Sequence, residues 1–595
     1  MHSLQSPSRN SQTRARGAAP RLLSPRVIIT KVQATVRRIF SISKTKDPRR
    51  RKPTNDTFDE WVAVGHHSKE FDAWVNFSCH SGELHGKRDF GRCSRPAAIE
   101  KLPNEVLLEV FDTLRHLTLK SPSSSSVPWQ WHRLTHVCRR WRSLIFASPH
   151  LLDLRLVYTY QKPVRKTLDL WPPLPVAICY PRLTPIRSLA PQDEENVIAA
   201  LKHPTRVCEI NLNMTRSLLS KSSPLMRVSF PELEHLRLRS QDAMRPLFLP
   251  TTFLAGSAPR LRDIHLDRTA YPTLPLLLLS TPDLVSLCLD EIPSAGYFPP
   301  EALVNGLSGA TQLKSMKIHF LPPTSRPEHI NSPLPPQNRI LFPNLTELHF
   351  SGCGEFLEDL VSRMRAPALK QFNTTLFEQP TFEIPQLCQF IDLTEALRSP
   401  HQTSIRLSDD DISIIHEFQS PSVPSTTATT ATPTSTLPPP SPPPYKFRLQ
   451  LACDDLDRQT SMLVHVCQQL SSLLSNVERL DVEASPLLFI WRNPDETDAF
   501  QWLELFRQFK GVKKLDVSGT LVPSIAGALE RVIGSGNDGL GGNSSAVQDL
   551  LPALCDLHLS GSTSTSSSLS IKPFLAARER SGNPISVYWG VDDDV

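Results

Sequence analysis

A nine-residue phrase that keeps returning sets what this chain can fold into. It reads F-P-E-L-E-H-L-R-L from Phe230, A-P-R-L-R-D-I-H-L from Ala258 and T-P-D-L-V-S-L-C-L from Thr281. It returns as A-T-Q-L-K-S-M-K-I from Ala310, F-P-N-L-T-E-L-H-F from Phe342 and A-P-A-L-K-Q-F-N-T from Ala366. Related copies begin at Arg206, Asn476, Gly511 and Leu551. The last two apolar positions of a copy are two apart with mostly polar residues around them, the period of a strand that buries one face. Ile210, Leu236, Ile264, Leu287, Met316, Leu348 and Phe372 correspond at intervals of about 23 to 32 residues, room for one strand and one return segment. Proline ahead of most copies marks where a return segment ends.

The phrase resembles the L-x-x-L-x-L strand of a leucine-rich repeat, in a degenerate form with an irregular period and no consensus asparagine. That resemblance implies an α/β solenoid over 151–595, with parallel strands on its concave side. Return segments such as L-P-L-L-L-L-S and P-P-E-A-L-V-N-G-L-S-G would carry a helix or helical turn on the outer side. An ordinary α/β sheet of leucine-rich strands is the competing architecture. The array is interrupted between about Phe377 and Asn476, where the Pro/Ser/Thr-rich stretch 420–444 has nothing to fold with, and structure resumes at Tyr445. A Gly-rich loop at 534–545 precedes the last copy.

Strand alternation assigns the faces. If Leu236, Leu238, Ile264, Leu266, Leu287, Leu289, Met316, Ile318, Leu348 and Phe350 point inward, their neighbours line the other face. Those neighbours include His235, Arg237, Arg239, Asp263, His265, Asp267, Cys288, Asp290, Lys317, His319, Glu347 and His349. They make a polar field of mixed sign, suited to reading a charged segment of a protein substrate. The alternative is a merely solvated face with binding at terminal loops. The imidazole offsets give no set of four zinc ligands, so hydrogen bonding is their expected role and no metal is expected.

Ahead of the repeats, Ala97 to Leu114 reads A-A-I-E-K-L-P-N-E-V-L-L-E-V-F-D-T-L. Pro103 suits a first helical position, and Val106, Leu107, Val110, Phe111 and Leu114 recur at helical spacing. A second helical stretch carries Leu134, Val137, Cys138, Trp141, Leu144 and Ile145 on one stripe. The order L-P-x-E-x-L-L-x-x-F, then V-C-R-x-W, resembles an F-box. The resemblance implies a small helical module over 96–150 that docks on a Skp-type adaptor and through it on a cullin-RING ubiquitin ligase of the SCF type. By it, Leu102, Pro103, Leu107, Leu108, Phe111, Val137, Cys138 and Trp141 are the docking and core residues. The segment from Arg115 to Pro128 departs from the family pattern through the polar insert L-K-S-P-S-S-S-S-V-P. It puts the middle helix near Trp129 to Thr135.

The remaining sequence excludes more than it assigns. Residues 1–55 are basic with one acidic residue, Asp47, and are expected to be disordered; the cluster K-D-P-R-R-R-K fits an import signal or a nucleic-acid contact, the preceding segment fits a transit peptide, and the alternative to all of these is a solvated tail with no address function. In the poorly defined linker 56–95, His66, His67, Cys79, His80, His85 and Cys93 match no common finger spacing. The net charge of +6 is small for 595 residues, so nucleic acid is not an expected partner. No apolar run is long enough for a membrane helix, and eleven cysteines without a C-x-x-C pair read as reduced thiols of a cytoplasmic or nuclear protein. Phosphate loops, nucleophile elbows and H-E-x-x-H are all missing, and Cys138 is expected on an apolar stripe that disfavours its thiolate. The expected function is a non-enzymatic, cofactor-free substrate receptor; the alternative is a repeat scaffold or binding module without a ligase.

Overall fold

The computed structural model describes residues 102–119, 131–149, 151–159, 164, 168, 173–180, 189–242, 246–322, 339–378, 382–418, 445–453, 456–485, 496–534, 550–560 and 565–590. The basic tail, the 56–95 linker, the 420–444 stretch and all but the first residue of the 534–545 loop lie outside them. One compact unit runs to Leu156 and takes in Lys166–Leu174; a second holds Val157–Arg165 and everything from Pro175.

The first unit is helical. Helix α1 spans Asn104–Leu119, α2 Trp131–Thr135 and α3 Arg139–Ala147. Leu107, Val110 and Phe111 form the buried stripe of α1, as their spacing requires, and Phe111 meets Trp141 edge-on at 4.8 Å between ring centroids. Arg140 ties α3 to the start of α1 by donating to Asn104 Oδ1 at 2.8 Å and to the Leu102 carbonyl.

One expectation is corrected here. Val137 and Cys138 do not continue a helical stripe, because the helix breaks between Thr135 and Arg139. Cys138 is the extended N-cap of α3, its sulfur accepting from the Trp141 amide at 3.5 Å, which satisfies a helix-end donor in the way a cap hydroxyl would. Both residues are consequently exposed, Val137 by 43%.

In the second unit each phrase opens with a tight turn. The amide of the fourth residue donates to the carbonyl of the first: Leu233 to Phe230 at 3.2 Å, Leu261 to Ala258 at 3.1 Å, Leu313 to Ala310 at 3.2 Å and Leu369 to Ala366 at 3.3 Å. Proline at the second position has the right φ for such a turn and no amide to leave unpaired. The turn drops the fourth-position leucine inward, and Leu233, Leu261, Leu284, Leu313, Leu345 and Leu369 are all fully buried. Each such burial contributes about 1.5–3 kcal/mol.

The strands that follow are β1 (Val176–Tyr180), β2 (Val207–Met214), β3 (His235–Ser240), β4 (Asp263–Asp267), β5 (Ser286–Ile292), β6 (Ser315–Phe320), β7 (Glu347–Gly352) and β8 (Gln371–Leu376). They pair in chain order and in parallel. The register aligns corresponding phrase positions, Ile210 on Leu236, Leu236 on Ile264, then Leu287, Met316, Leu348 and Phe372. A slip of one residue would turn every buried side chain outward, so the apolar ladder holds this register.

Between the strands run short helices that open on proline, among them α4 (Leu274–Leu278) and α5 (Pro300–Gly306). They approach so closely that a Cβ added at Gly306 would stand 2.6 Å from the Pro275 carbonyl oxygen. Helix α6 (Gly354–Ser362) caps its successor α7 (Pro385–Leu393), since the Glu358 carboxylate accepts the amides of Gln386 at 2.8 Å and Leu387 at 2.9 Å. A carboxylate there satisfies orphan amides and meets the positive end of the helix dipole.

The parallel order breaks after β8. Strands β9 (Gln402–Leu407) and β10 (Asp411–Phe418) form an antiparallel hairpin, and β11 (Tyr445–Ala452) inserts between β10 and β8. Helix α8 (Leu456–Gln469) then leads to β12 (Arg479–Ala484), which pairs with β9. Parallel pairing continues through β13 (Lys514–Ser518), β14 (Asp556–Ser560) and β15 (Ser586–Gly590). Within the stretch from Phe377 to Asn476, α7, β9 and β10 fill 382–418 with regular structure that does not follow the parallel order of the strands before it. The architecture is mixed α/β, a helix-rich N-terminal region followed by a large, mostly parallel sheet.

Candidate functional site

Alternation along β3 to β7 sorts side chains into a buried set and a polar face. Leu236, Leu238, Ile264, Leu266, Leu287, Leu289, Met316, Ile318, Leu348 and Phe350 are buried. Across the strands the polar face forms rows. One runs Glu209, His235, Asp263, Ser286, Ser315, Glu347; the next runs Asn211, Arg237, His265, Cys288, Lys317, His349, Asn373, Arg448. The second row contains no carboxylate, whereas the third brings Arg239, Asp267 and Asp290 together.

Asp290 is the hub of this face. Its Oδ1 lies 2.9 Å from His319 Nδ1, and its Oδ2 accepts from Lys317 Nζ at 3.1 Å. The His319 hydrogen bond, followed by that from Lys317, holds its carboxyl well below the usual carboxylate range. Nearby, Asp267 is only 3% exposed, a departure from the solvated position that alternation implies. Arg239 pairs with its Oδ2 at 2.6 Å, while Oδ1 has no hydrogen-bond partner. Burial nevertheless pushes the Asp267 carboxyl up.

The remaining assigned residues divide between pairs and singles. His235 Nδ1 is 2.7 Å from Asp263 Oδ2, His349 Nδ1 is 3.1 Å from Asn373 Nδ2, and Glu347 Oε2 accepts from Ser315 Oγ at 3.2 Å. Burial first, then the Arg237 guanidinium, lowers the His265 imidazole, and burial lowers that of His349. Both rings are thus neutral near neutral pH. Burial raises the Cys288 thiol.

The polar face continues past the residues read from sequence. On β12 and β13, Arg479 bridges Asp481 at 3.0 Å and Asp516 at 2.9 Å, and Gln402 donates to Asp481 at 2.6 Å. Burial, then the neighbouring Asp516, raises the Asp481 carboxyl. These residues were within reach, since R-L-D-V and K-L-D-V are copies of the same phrase.

The first unit supplies a different kind of surface. Of the eight residues assigned to docking, Leu107, Phe111 and Trp141 are buried within the module, whereas Pro103, Val137 and Cys138 are exposed and Leu102 and Leu108 are half-buried. Core and surface roles are therefore separate. Comparison with known families gives an F-box-like match over residues 99–151. No curated protein matches the chain. Among the described residues no helix is long and apolar enough to cross a membrane.

Proposed function

We propose that this chain is the substrate-recognition subunit of a cullin-RING ubiquitin ligase of the SCF type. The observation that carries the reading is the F-box-like match over 99–151, on a module with an apolar core and an outward set of Pro103, Leu108 and Val137. F-box domains bind Skp-type adaptors, and that outward set is the surface an adaptor would cover. In this reading the parallel strands β2 to β8 and β12 to β14 are degenerate leucine-rich repeats of a solenoid whose concave side is the polar face, with the β9–β10 hairpin and β11 set between them. The in-register apolar ladder supports it. In this reading the chain itself is non-catalytic; its contribution is proximity, holding a substrate lysine where a charged conjugating enzyme can meet it.

The test is capture of the adaptor by the tagged full chain. Truncating Leu107 and Phe111 would hollow the module's core, so the informative variant is Val137→Asp, which changes an exposed side chain. Adaptor recovery should be lost with thermal unfolding unchanged. Undiminished capture by this variant refutes the docking assignment. Adaptor capture without adaptor-dependent ubiquitylation of any bound protein would instead favour a scaffold.

A further inference from the structure

His265 and Cys288 are register partners on the neighbouring strands β4 and β5, and Asp290 lies two residues beyond Cys288, so the three side chains share one face. One donor atom from each lies within 4.8 Å of the other two, and all three residues are half-buried. We propose that this trio binds a zinc-like divalent cation, with the fourth coordination position open to water or to a donor atom of a docked protein. The proposal stands independently of the ubiquitin-ligase reading, since it uses none of the F-box residues.

The donor chemistry selects the class of ion. Thiolate and imidazole suit zinc and its transition-metal neighbours, whereas magnesium and calcium demand oxygen. Three protein ligands leave the coordination shell open, as in sites that exchange their fourth ligand. The two oxygens of Asp290 have separate tasks. Oδ1 is held by His319, whose hydrogen bond fixes the carboxylate's orientation. That leaves Oδ2 to serve as the ligand oxygen, and Lys317 Nζ donates to it.

Lys317 and the cation therefore compete for one atom. The Lys317 side chain is 40% exposed, so its ammonium can withdraw into water when the ion arrives. On binding, Cys288 releases its thiol proton to solvent, and the thiolate and the Asp290 carboxylate together offset the two charges of the ion. Lys317 and Arg237 both place positive charge beside the trio, Lys317 foremost at Cys288 and Arg237 foremost at His265, so the ion binds against a local positive field.

The experiment uses the full chain, stripped by chelator, titrated with cobalt(II) and then with zinc. A near-ultraviolet sulfur-to-cobalt charge-transfer band should form and be bleached by zinc, and Cys288→Ser should remove the part of it that reports this site. His319→Ala should weaken zinc binding by about 10–100-fold. Lys317→Met should tighten it, which no misfolded variant would do. Equal bands in wild type and Cys288→Ser overturn the proposal, as does zinc binding by Lys317→Met no tighter than wild type. Adaptor capture measured on the same variants should not change, which separates failure here from failure of the ligase reading.

Discussion

His416 should make the sheet acid-sensitive, by an amount that the structure allows to be worked out. It lies on β10, opposite Thr403 and Phe447 on the strands to either side. The ring is completely buried, stacked on Phe447 at 5.5 Å, with Nδ1 2.8 Å from Thr403 Oγ1 and no hydrogen-bond partner for Nε2. Burial lowers its pKa from 6.5 to about 3. A protonated ring would put an uncompensated charge among apolar neighbours, and the fold disfavours that. The unfolded chain binds the proton that the folded chain refuses, so stability is full above the unfolded pKa and falls as pH drops below it. Between about pH 7 and about pH 5 the loss from this one group is about 2 kcal/mol. Denaturant unfolding of wild type and His416→Leu at both pH values isolates it, because the other histidines contribute equally to both proteins. The variant's absolute stability is immaterial; its pH dependence should be shallower by about 2 kcal/mol over this interval. Parallel pH profiles would refute the reasoning and mean that the ring gains solvent or a counter-charge when protonated.

Other consequences can be measured with the same apparatus. Gly306→Ala should destabilise by about 1–3 kcal/mol, because the new methyl meets the Pro275 carbonyl between two helices that cannot separate cheaply; unchanged denaturant midpoints would show that α4 and α5 slide apart. Glu358→Ala should cost about 1–3 kcal/mol by orphaning the Gln386 and Leu387 amides, with faster amide exchange at the start of α7 as the local readout. Leu287→Ala, at a fully buried rung of the ladder, should cost about 2–5 kcal/mol in chemical unfolding. Replacing 419–444 by Asn-Gly should leave the melting temperature undiminished, because Phe418 and Tyr445 are already cross-strand partners; a fall of many degrees would show that the segment contributes packing.

The strand positions were legible because each phrase combines a turn-forming proline, a buried leucine and a two-residue apolar period that agree with one another. Leu233 through Phe372 could be placed on that basis alone. The hairpin β9–β10 was not legible, since S-I-R-L and D-I-S-I-I-H-E-F alternate like strands but lack the opening turn, and their place in the sheet depends on pairing with β11, far along the chain. Of the polar face, the sequence identified which residues stand outward but not their partners. Asp290 as hub follows from cross-strand neighbours, as does the burial of Asp267 beneath Arg239. In the first unit periodicity alone could not reveal that Cys138 caps a helix, because a thiol in a Leu-Val-Trp setting reads as apolar until the chain is seen to break there.

The insertion of β11 between β8 and β10 also governs the order in which a nascent chain can assemble. Strands β1 to β8 each add to the edge left by the one before, so that part of the sheet can grow as the chain emerges from its site of synthesis. At β8 this sequential growth halts. The α7–β9–β10 segment follows immediately, yet it cannot attach to β8 directly, because β11 must first occupy the position between them. Until Tyr445–Ala452 has been made, the backbone donors and acceptors along Gln371–Leu376 remain open on one side, a row of unpaired groups of the kind on which another strand can template.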